Sequence, residues 1–195
     1  MPYDTQDTPA IHRRRLQRPA NAAGFRVETF VAVIRRHGLT MGCIAAILLF
    51  TASAWPALVD TTLPLRSNPT PYLVGVCGLL IFFTLWSRRR PFTTGRQTLW
   101  ITYLLYISIV EEIAFRLLLP ILLSDHVERL PAHVISNAIF AALHYVTLRW
   151  RLVNCIGTFF GAMGLSYLMA RGDLALVILV HWLGTFLNTP APPAK

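Results

Sequence analysis

The chain has 195 residues, of which 54% are hydrophobic and only 14% charged. A water-soluble domain carries about 25% charged residues, so a free cytosolic enzyme or a disordered chain is excluded. The net charge of +9 does not mark a nucleic-acid partner, because the basic residues fall in alternate loops between apolar blocks instead of gathering on one surface.

Residues 1–23 are polar, with Pro2, Pro9 and Pro19, and read as a disordered basic cytoplasmic tail that can touch anionic lipid headgroups. Arg13–Arg15 resemble part of a twin-arginine export signal, but no small-residue cleavage site follows the first apolar block, which reads as a retained span. In 24–38, Phe25, Val27, Phe30, Val31 and Ile34 alternate with Arg26, Glu28 and Arg35. This is a candidate interfacial amphipathic helix, the alternative being an early extension of the first span.

Six spans follow, since a crossing needs roughly 20 residues of helix. They are Leu39–Leu58, Tyr72–Trp86, Leu99–Leu123, Ala132–Leu148, Leu152–Ala170 and Leu174–Asn188. Together they make an all-α polytopic membrane helix bundle over 39–188, closed by a polar tail at 189–195. With both termini inside, fourteen of the eighteen basic residues are cytoplasmic. Arg66, Arg129 and Arg171 are outside, and Arg116 lies within the membrane. That bias predicts an N-in, C-in bundle of six crossings. Cys43, Cys77 and Cys155 lack metal-ligand spacing and read as buried packing residues. Gly157, Gly161 and Gly164 read as a small-residue row against which another helix packs.

Few ionisable side chains lie inside the spans: Glu111, Glu112 and Arg116 on the third, His144 on the fourth and His181 on the sixth. His133, at the outer edge of the fourth span, reads as interfacial. Ionisable groups at membrane depth cost a few kcal/mol each on insertion scales, and they mark functional sites by default. Glu112 precedes Arg116 by four residues, the favourable orientation for a same-face ion pair. Glu111 is turned about 100° from Glu112 by the helical period, so it lacks that cationic partner. Glu112 is thereby a brace and Glu111 the candidate general base. Phe140 lies one turn before His144 on the same face. Thr185 and Asn188 lie one and two turns past His181 on its face, where His and Thr can donate to a developing oxyanion. A depth problem accompanies this grouping. Glu111 lies about 18 Å from the inner end of its span, and His144 only about 6–9 Å from the inner end of its own.

The stretches Glu111-Glu112-Ile-Ala-Phe-Arg116, Phe140-Ala-Ala-Leu-His144 and His181-Trp-Leu-Gly-Thr185 resemble the three signatures of the CPBP family, also called the ABI family. This family includes the CAAX proteases and bacteriocin-processing enzymes. The resemblance covers a core at 99–188. It implies a glutamic-type intramembrane endopeptidase of a bacterial cell membrane, with no cofactor and no metal, acting on a membrane-anchored or lipidated protein or peptide within the lipid bilayer. In that scheme Glu111 and His144 activate water, His181 and Thr185 hold the oxyanion, and Glu112, Arg116 and Phe140 support the site. Thr185 stands where the family usually has Asn, with Asn188 a substitute only if the helix rotates. Rival readings are a zinc protease using the same acids and histidines and a serine protease built on Ser166 and His181. A non-catalytic scaffold, immunity protein or proton-coupled carrier is the remaining alternative.

Overall fold

The computed structural model describes residues 27, 29–51, 53–88 and 94–193. The tail expected at 1–23, part of the basic cluster at 88–90 and the last two residues lie outside them, wholly or in part. Among the described residues there are eight helices and no strand. Helix α1 is Phe30–Leu49, with a π-helical stretch at Ile34–Gly38. Short helices α2 (Ala54–Thr61) and α3 (Leu63–Ser67) lead to α4, Thr70–Arg88. Helix α5 spans 94–124. It is α-helical over Thr94–Glu112, π-helical over Ile113–Leu118 and α-helical again over Leu119–Ser124. Helices α6 (Arg129–Thr147), α7 (Leu152–Met169) and α8 (Leu174–Asn188) complete the bundle.

Helices α1, α4 and α7 are long and apolar enough to cross a bilayer; the 20 residues of α1 make about 30 Å. Their outward faces carry large apolar side chains such as Ile47, Val74, Phe160 and Tyr167, a surface that suits lipid and not water. This is a helical membrane protein. Helices α5 and α6 are long enough but less apolar, because they hold the polar cluster described below.

The first span differs from its sequence boundaries. It begins at Phe30, where the Thr29 hydroxyl accepts from the N–H of Ala32 at 3.0 Å, a standard N-cap. It closes at Leu49, with the Thr51 hydroxyl donating to the Leu48 carbonyl at 2.8 Å. From Phe30 onward, the segment expected as a separate interfacial helix is therefore the start of α1. From Ala54 the stretch up to Leu58 belongs to α2.

Helix α5 lies at the centre, locked to α8 by polar bonds at their shared end. Trp100 Nε1 donates to the Thr189 carbonyl at 2.8 Å and Gln97 Nε2 to that of Pro190 at 2.9 Å. Trp182 Nε1 reaches back to the Ile101 carbonyl at 3.1 Å. At the other end, Asp173 caps α8 by accepting from the N–H of Leu176 at 2.9 Å, and its second oxygen accepts from the Tyr72 hydroxyl at 2.6 Å. Phe83, the one buried residue of α4, stacks on Phe186 at 4.1 Å and meets Trp182 edge-on at 5.0 Å.

Two packing expectations change. Only Cys155 is buried, while Cys43 and Cys77 face outward. A Cβ added at Gly157, Gly161 or Gly164 would meet nothing within 4 Å, so among the described residues no helix packs on that row.

Candidate active site

Pro120 sets the local shape of α5. It has no N–H to offer the carbonyl one turn earlier, and its ring crowds that turn. The helix widens into π geometry over Ile113–Leu118, immediately after the acidic pair, as π-bulges at functional sites do. The Phe115 carbonyl within this stretch accepts from the buried Ser136 hydroxyl of α6 at 2.7 Å. Ser136→Ala is expected to cost about 1–3 kcal/mol by stranding that carbonyl, measurable as a lower unfolding midpoint in detergent.

Glu111, Glu112 and Arg116 are 1%, 0% and 2% exposed. The Glu112–Arg116 pair forms as the spacing predicts, Oε2 to Nε 3.5 Å. The guanidinium lies 3.9 Å over the face of Phe140. The same ring contacts His144 (4.5 Å between centroids), Phe115 (5.4 Å) and His181 (6.2 Å). Phe140 is the apolar hub on which the charged groups are oriented.

Glu111, turned away from Arg116, faces histidines. His144 Nε2 is 3.8 Å from its Oε1 and His181 Nε2 is 3.6 Å from its Oε2. His181 also places Nδ1 2.5 Å from Glu112 Oε1, so it bridges the two carboxylates, an arrangement the sequence did not reveal. The His144 Nδ1–H donates to the Phe140 carbonyl at 2.9 Å. A carbonyl only accepts, so the neutral ring carries its proton on Nδ1 and leaves Nε2 bare beside Glu111.

A third histidine, absent from the sequence reading, completes the cluster. His37 of α1 is 3% exposed, with Nε2 2.9 Å from Glu111 Oε1 and its ring edge-on to His144 at 4.8 Å. The signal available was an ionisable residue flanking an apolar run. A first span that begins at Leu39 puts His37 outside the membrane, whereas α1 begins at Phe30 and carries it inside. Two glycines let α1 approach closely enough. A Cβ at Gly38 would lie 3.1 Å from the Tyr103 ring, and one at Gly42 would collide with the Tyr106 hydroxyl, which itself donates to the Gly38 carbonyl at 3.1 Å. Gly42→Leu is expected to push α1 off α5, costing about 1–3 kcal/mol by overpacking and withdrawing His37 from Glu111. Cysteine cross-linking between the two helices measures the separation.

The cluster opens into a cavity of about 520 Å³, walled by Val33 and His37 of α1, Trp100–Glu111 of α5, Val153–Leu165 of α7 and Val180–Thr189 of α8. Thr185 and Asn188 line it beyond His181, and Gly157 and Gly161 form its smooth α7 wall. The depth problem disappears because α6 ends one turn past His144, at Thr147. The part of α5 before Glu111 lines the cavity instead, through Trp100, Tyr103, Leu104 and Ile107. Ser166 is on the α6–α7 seam, where its hydroxyl accepts from Asn137 Nδ2 at 2.8 Å; it does not line the cavity.

By donor type, His37, His144 and Glu111 could share a metal, their ligand atoms lying within 4.8 Å of one another. Ligands on a tetrahedral zinc at about 2.0–2.1 Å stand roughly 3.3 Å apart, so the 2.9 Å His37–Glu111 contact would have to open to admit one. Without a metal, the arrangement balances its own charge. Two carboxylates and one guanidinium leave one negative charge, and one proton on the imidazoles neutralises it, which buried charge requires.

Residues 93–187 match the family model described as type II CAAX prenyl endopeptidase Rce1-like. No curated protein and no solved structure matches the chain.

Proposed function

We propose that the match of residues 93–187 to the type II CAAX prenyl endopeptidase Rce1-like model reflects a membrane-protease activity of this chain. On that premise we propose that it is a glutamic-type intramembrane endopeptidase in which Glu111 activates the attacking water. The observation that carries this reading is the convergence of His144 and His181 on one buried carboxylate that pairs with no arginine among the described residues.

A water beside Glu111 gives one proton to the carboxylate as its oxygen attacks the scissile carbonyl. The bare Nε2 of His144 accepts a hydrogen bond from the water's other O–H, which stays on the attacking oxygen, and so aims its lone pair. The carbonyl oxygen becomes an oxyanion and takes donors from His181 and, one turn along α8, from Thr185. A carboxylate only accepts, so the N–H at His181 Nδ1 faces Glu112, whose own charge is balanced by Arg116, and Nε2 donates to the oxyanion when the ring carries its second proton. Glu112 and Arg116 thus brace the oxyanion donor as well as the helix. Collapse of the tetrahedral intermediate breaks the C–N bond, and the proton held on Glu111 leaves with the amine. Thr185 has shorter reach than Asn, so the oxyanion pocket is completed mainly by His181, with Asn188 farther along the same wall of the cavity.

The cavity size is typical of sites that enclose a small ligand or a short extended segment. Its lining extends to Leu148, Trp150, Asn154 and Thr189, at one end of the bundle. The distribution of arginines supports a cytoplasmic location for that end, in an N-in, C-in bundle of six crossings in a bacterial inner membrane. A substrate held in the bilayer, by a lipid group or a C-terminal anchor segment, reaches the site from that side.

Comparing the membrane proteomes of cells with and without the gene tests this. At least one membrane protein is expected to keep an uncleaved segment when the gene is absent. Identical proteomes, with loss of a proton-gradient-dependent flux, would instead support a carrier. Cleavage in isolated membranes is expected to survive a chelator, and purified protein to hold far less than one metal ion per chain. One zinc per chain, with activity lost on chelation, would replace the glutamate mechanism by a metal-assisted one.

A further inference from the structure

The seam between α6 and α7 carries a second hollow, separate from the cavity at Glu111. Helix α6 lines it with Ala138, Ala141, Ala142 and Tyr145, and α7 with residues that include Ile156 and Phe159. The α6 positions follow the i, i+3, i+4, i+7 spacing of one helix face. Toward the cavity at Glu111 the same two helices present Phe140, His144, Gly157 and Gly161, so the two hollows share no residue. Three alanines on a membrane helix leave an apolar groove of about 400 Å³, within the size range of sites that enclose a small ligand.

One end of this groove is basic. Tyr145 and Leu152 line it there, on either side of the loop 148–151 that joins α6 to α7. The loop alternates. Leu148 and Trp150 are buried and face the cavity at Glu111, the Trp150 ring lying 5.0 Å from that of His144. Arg149 is half-buried and Arg151 exposed. Arg149 takes a φ of 59°, the left-handed cap conformation that glycine adopts without strain. A strained backbone thus carries a guanidinium at the place where glycine is the easier choice. Arg36 adds a third guanidinium at the end of α6, donating to the Val146 and Thr147 carbonyls. Among the described residues, the carboxylates outside the buried pair are Asp60, Asp125, Glu128 and Asp173. All four belong to segments that join the helices at their opposite ends, so no acid among them balances the basic end of the groove.

We propose that this groove binds one anionic phospholipid of the surrounding bilayer, with an acyl chain along the alanines and the phosphate at Arg149 and Arg151. Basic pockets between membrane helices are where anionic headgroups dock, and a guanidinium grips a phosphate through two parallel N–H···O bonds. The N-terminus of α7, which no side chain caps, turns the positive end of its dipole to the same place. The bound lipid clamps the loop that holds Trp150 against His144, so the composition of the bilayer reaches the cavity at Glu111.

The test needs no cleavage, and its outcome is independent of the role given to Glu111. The full chain in detergent is titrated with phosphatidylglycerol or with phosphatidylcholine of the same acyl chains, and bound lipid is counted by native mass spectrometry. Wild type is expected to hold one phosphatidylglycerol about tenfold more tightly than phosphatidylcholine, the preference that two arginines give. Arg151→Gln is expected to lose most of that preference. Ala142→Phe fills the groove from an exposed position, and is expected to weaken retention of phosphatidylglycerol by about tenfold with the fold intact. Equal retention of the two lipids by wild type, or undiminished retention of phosphatidylglycerol in either variant, would overturn the proposal. Displacement of the phospholipid by a prenylated peptide would also overturn it, by giving the groove to the lipid of a substrate.

A second measurement reads the clamp. A ligand of the folded state raises the unfolding midpoint, so phosphatidylglycerol is expected to raise that of wild type beyond the effect of phosphatidylcholine. Arg151→Gln is expected to respond alike to both lipids. A phosphatidylglycerol shift of wild-type size in Arg151→Gln would contradict the assignment.

Discussion

Glu111→Gln is expected to slow substrate cleavage by about 10²–10⁴-fold, the usual contribution of a positioned general base, with the protein still folded and inserted. Gln keeps the shape of the side chain and its place between His37, His144 and His181, but its amide cannot take the proton of water. Folding is spared because Glu112 and Arg116, which balance each other's charge, are untouched. Glu111→Asp retains the carboxylate but draws it back by one methylene, and is expected to be intermediate. Pulse–chase in complemented cells measures both, with immunoblotting of membranes to match abundance.

Arg116→Met is expected to act chiefly on stability, by about 3–5 kcal/mol, the cost of removing one partner of a buried ion pair. Glu112 would be left fully buried with only His181 for company, and Phe140 would lose the cation over its face. The double variant Glu112→Gln with Arg116→Met removes both charges and is expected to recover a large part of the loss. Unfolding of the four proteins in detergent gives the coupling energy directly. Equal losses in the single and double variants would mean that the pair contributes little. The double variant is still expected to cleave slowly, because His181 has lost the carboxylate that lets it carry a second proton.

What could be read from the sequence was what local helix geometry decides. The Glu112–Arg116 pair is a four-residue spacing within one helix, and it formed with Glu111 turned away. Phe140 before His144, and Thr185 after His181, are likewise one-turn relations, and all four residues line the same cavity. Relations between helices were not legible. His37 was hidden by charge, since Arg35, Arg36 and His37 look like the wet edge of a membrane span. In the folded chain the Arg36 guanidinium is satisfied by carbonyls at the end of α6, so α1 carries its polar residues inward. The depth mismatch between Glu111 and His144 came from treating the helices as equal crossings. Helix α6 stops one turn past its histidine, and the space beyond becomes the cavity. The glycines of α7 were read by composition as a packing row. Small residues also form the smooth wall of a cavity, and periodicity does not distinguish the two uses.

The central claim is that a carboxylate held by three histidines cleaves a segment fixed in the bilayer. Its most direct test is to locate the cut, using terminal mass spectrometry on the membrane protein that wild-type cells shorten and Glu111→Gln cells do not. The new terminus is expected beside a lipidated residue or at the cytoplasmic edge of a membrane-inserted segment, within reach of the end of the cavity at Leu148 and Thr189. A cut in a soluble loop remote from the bilayer, or the same terminus in Glu111→Gln cells, would contradict the account.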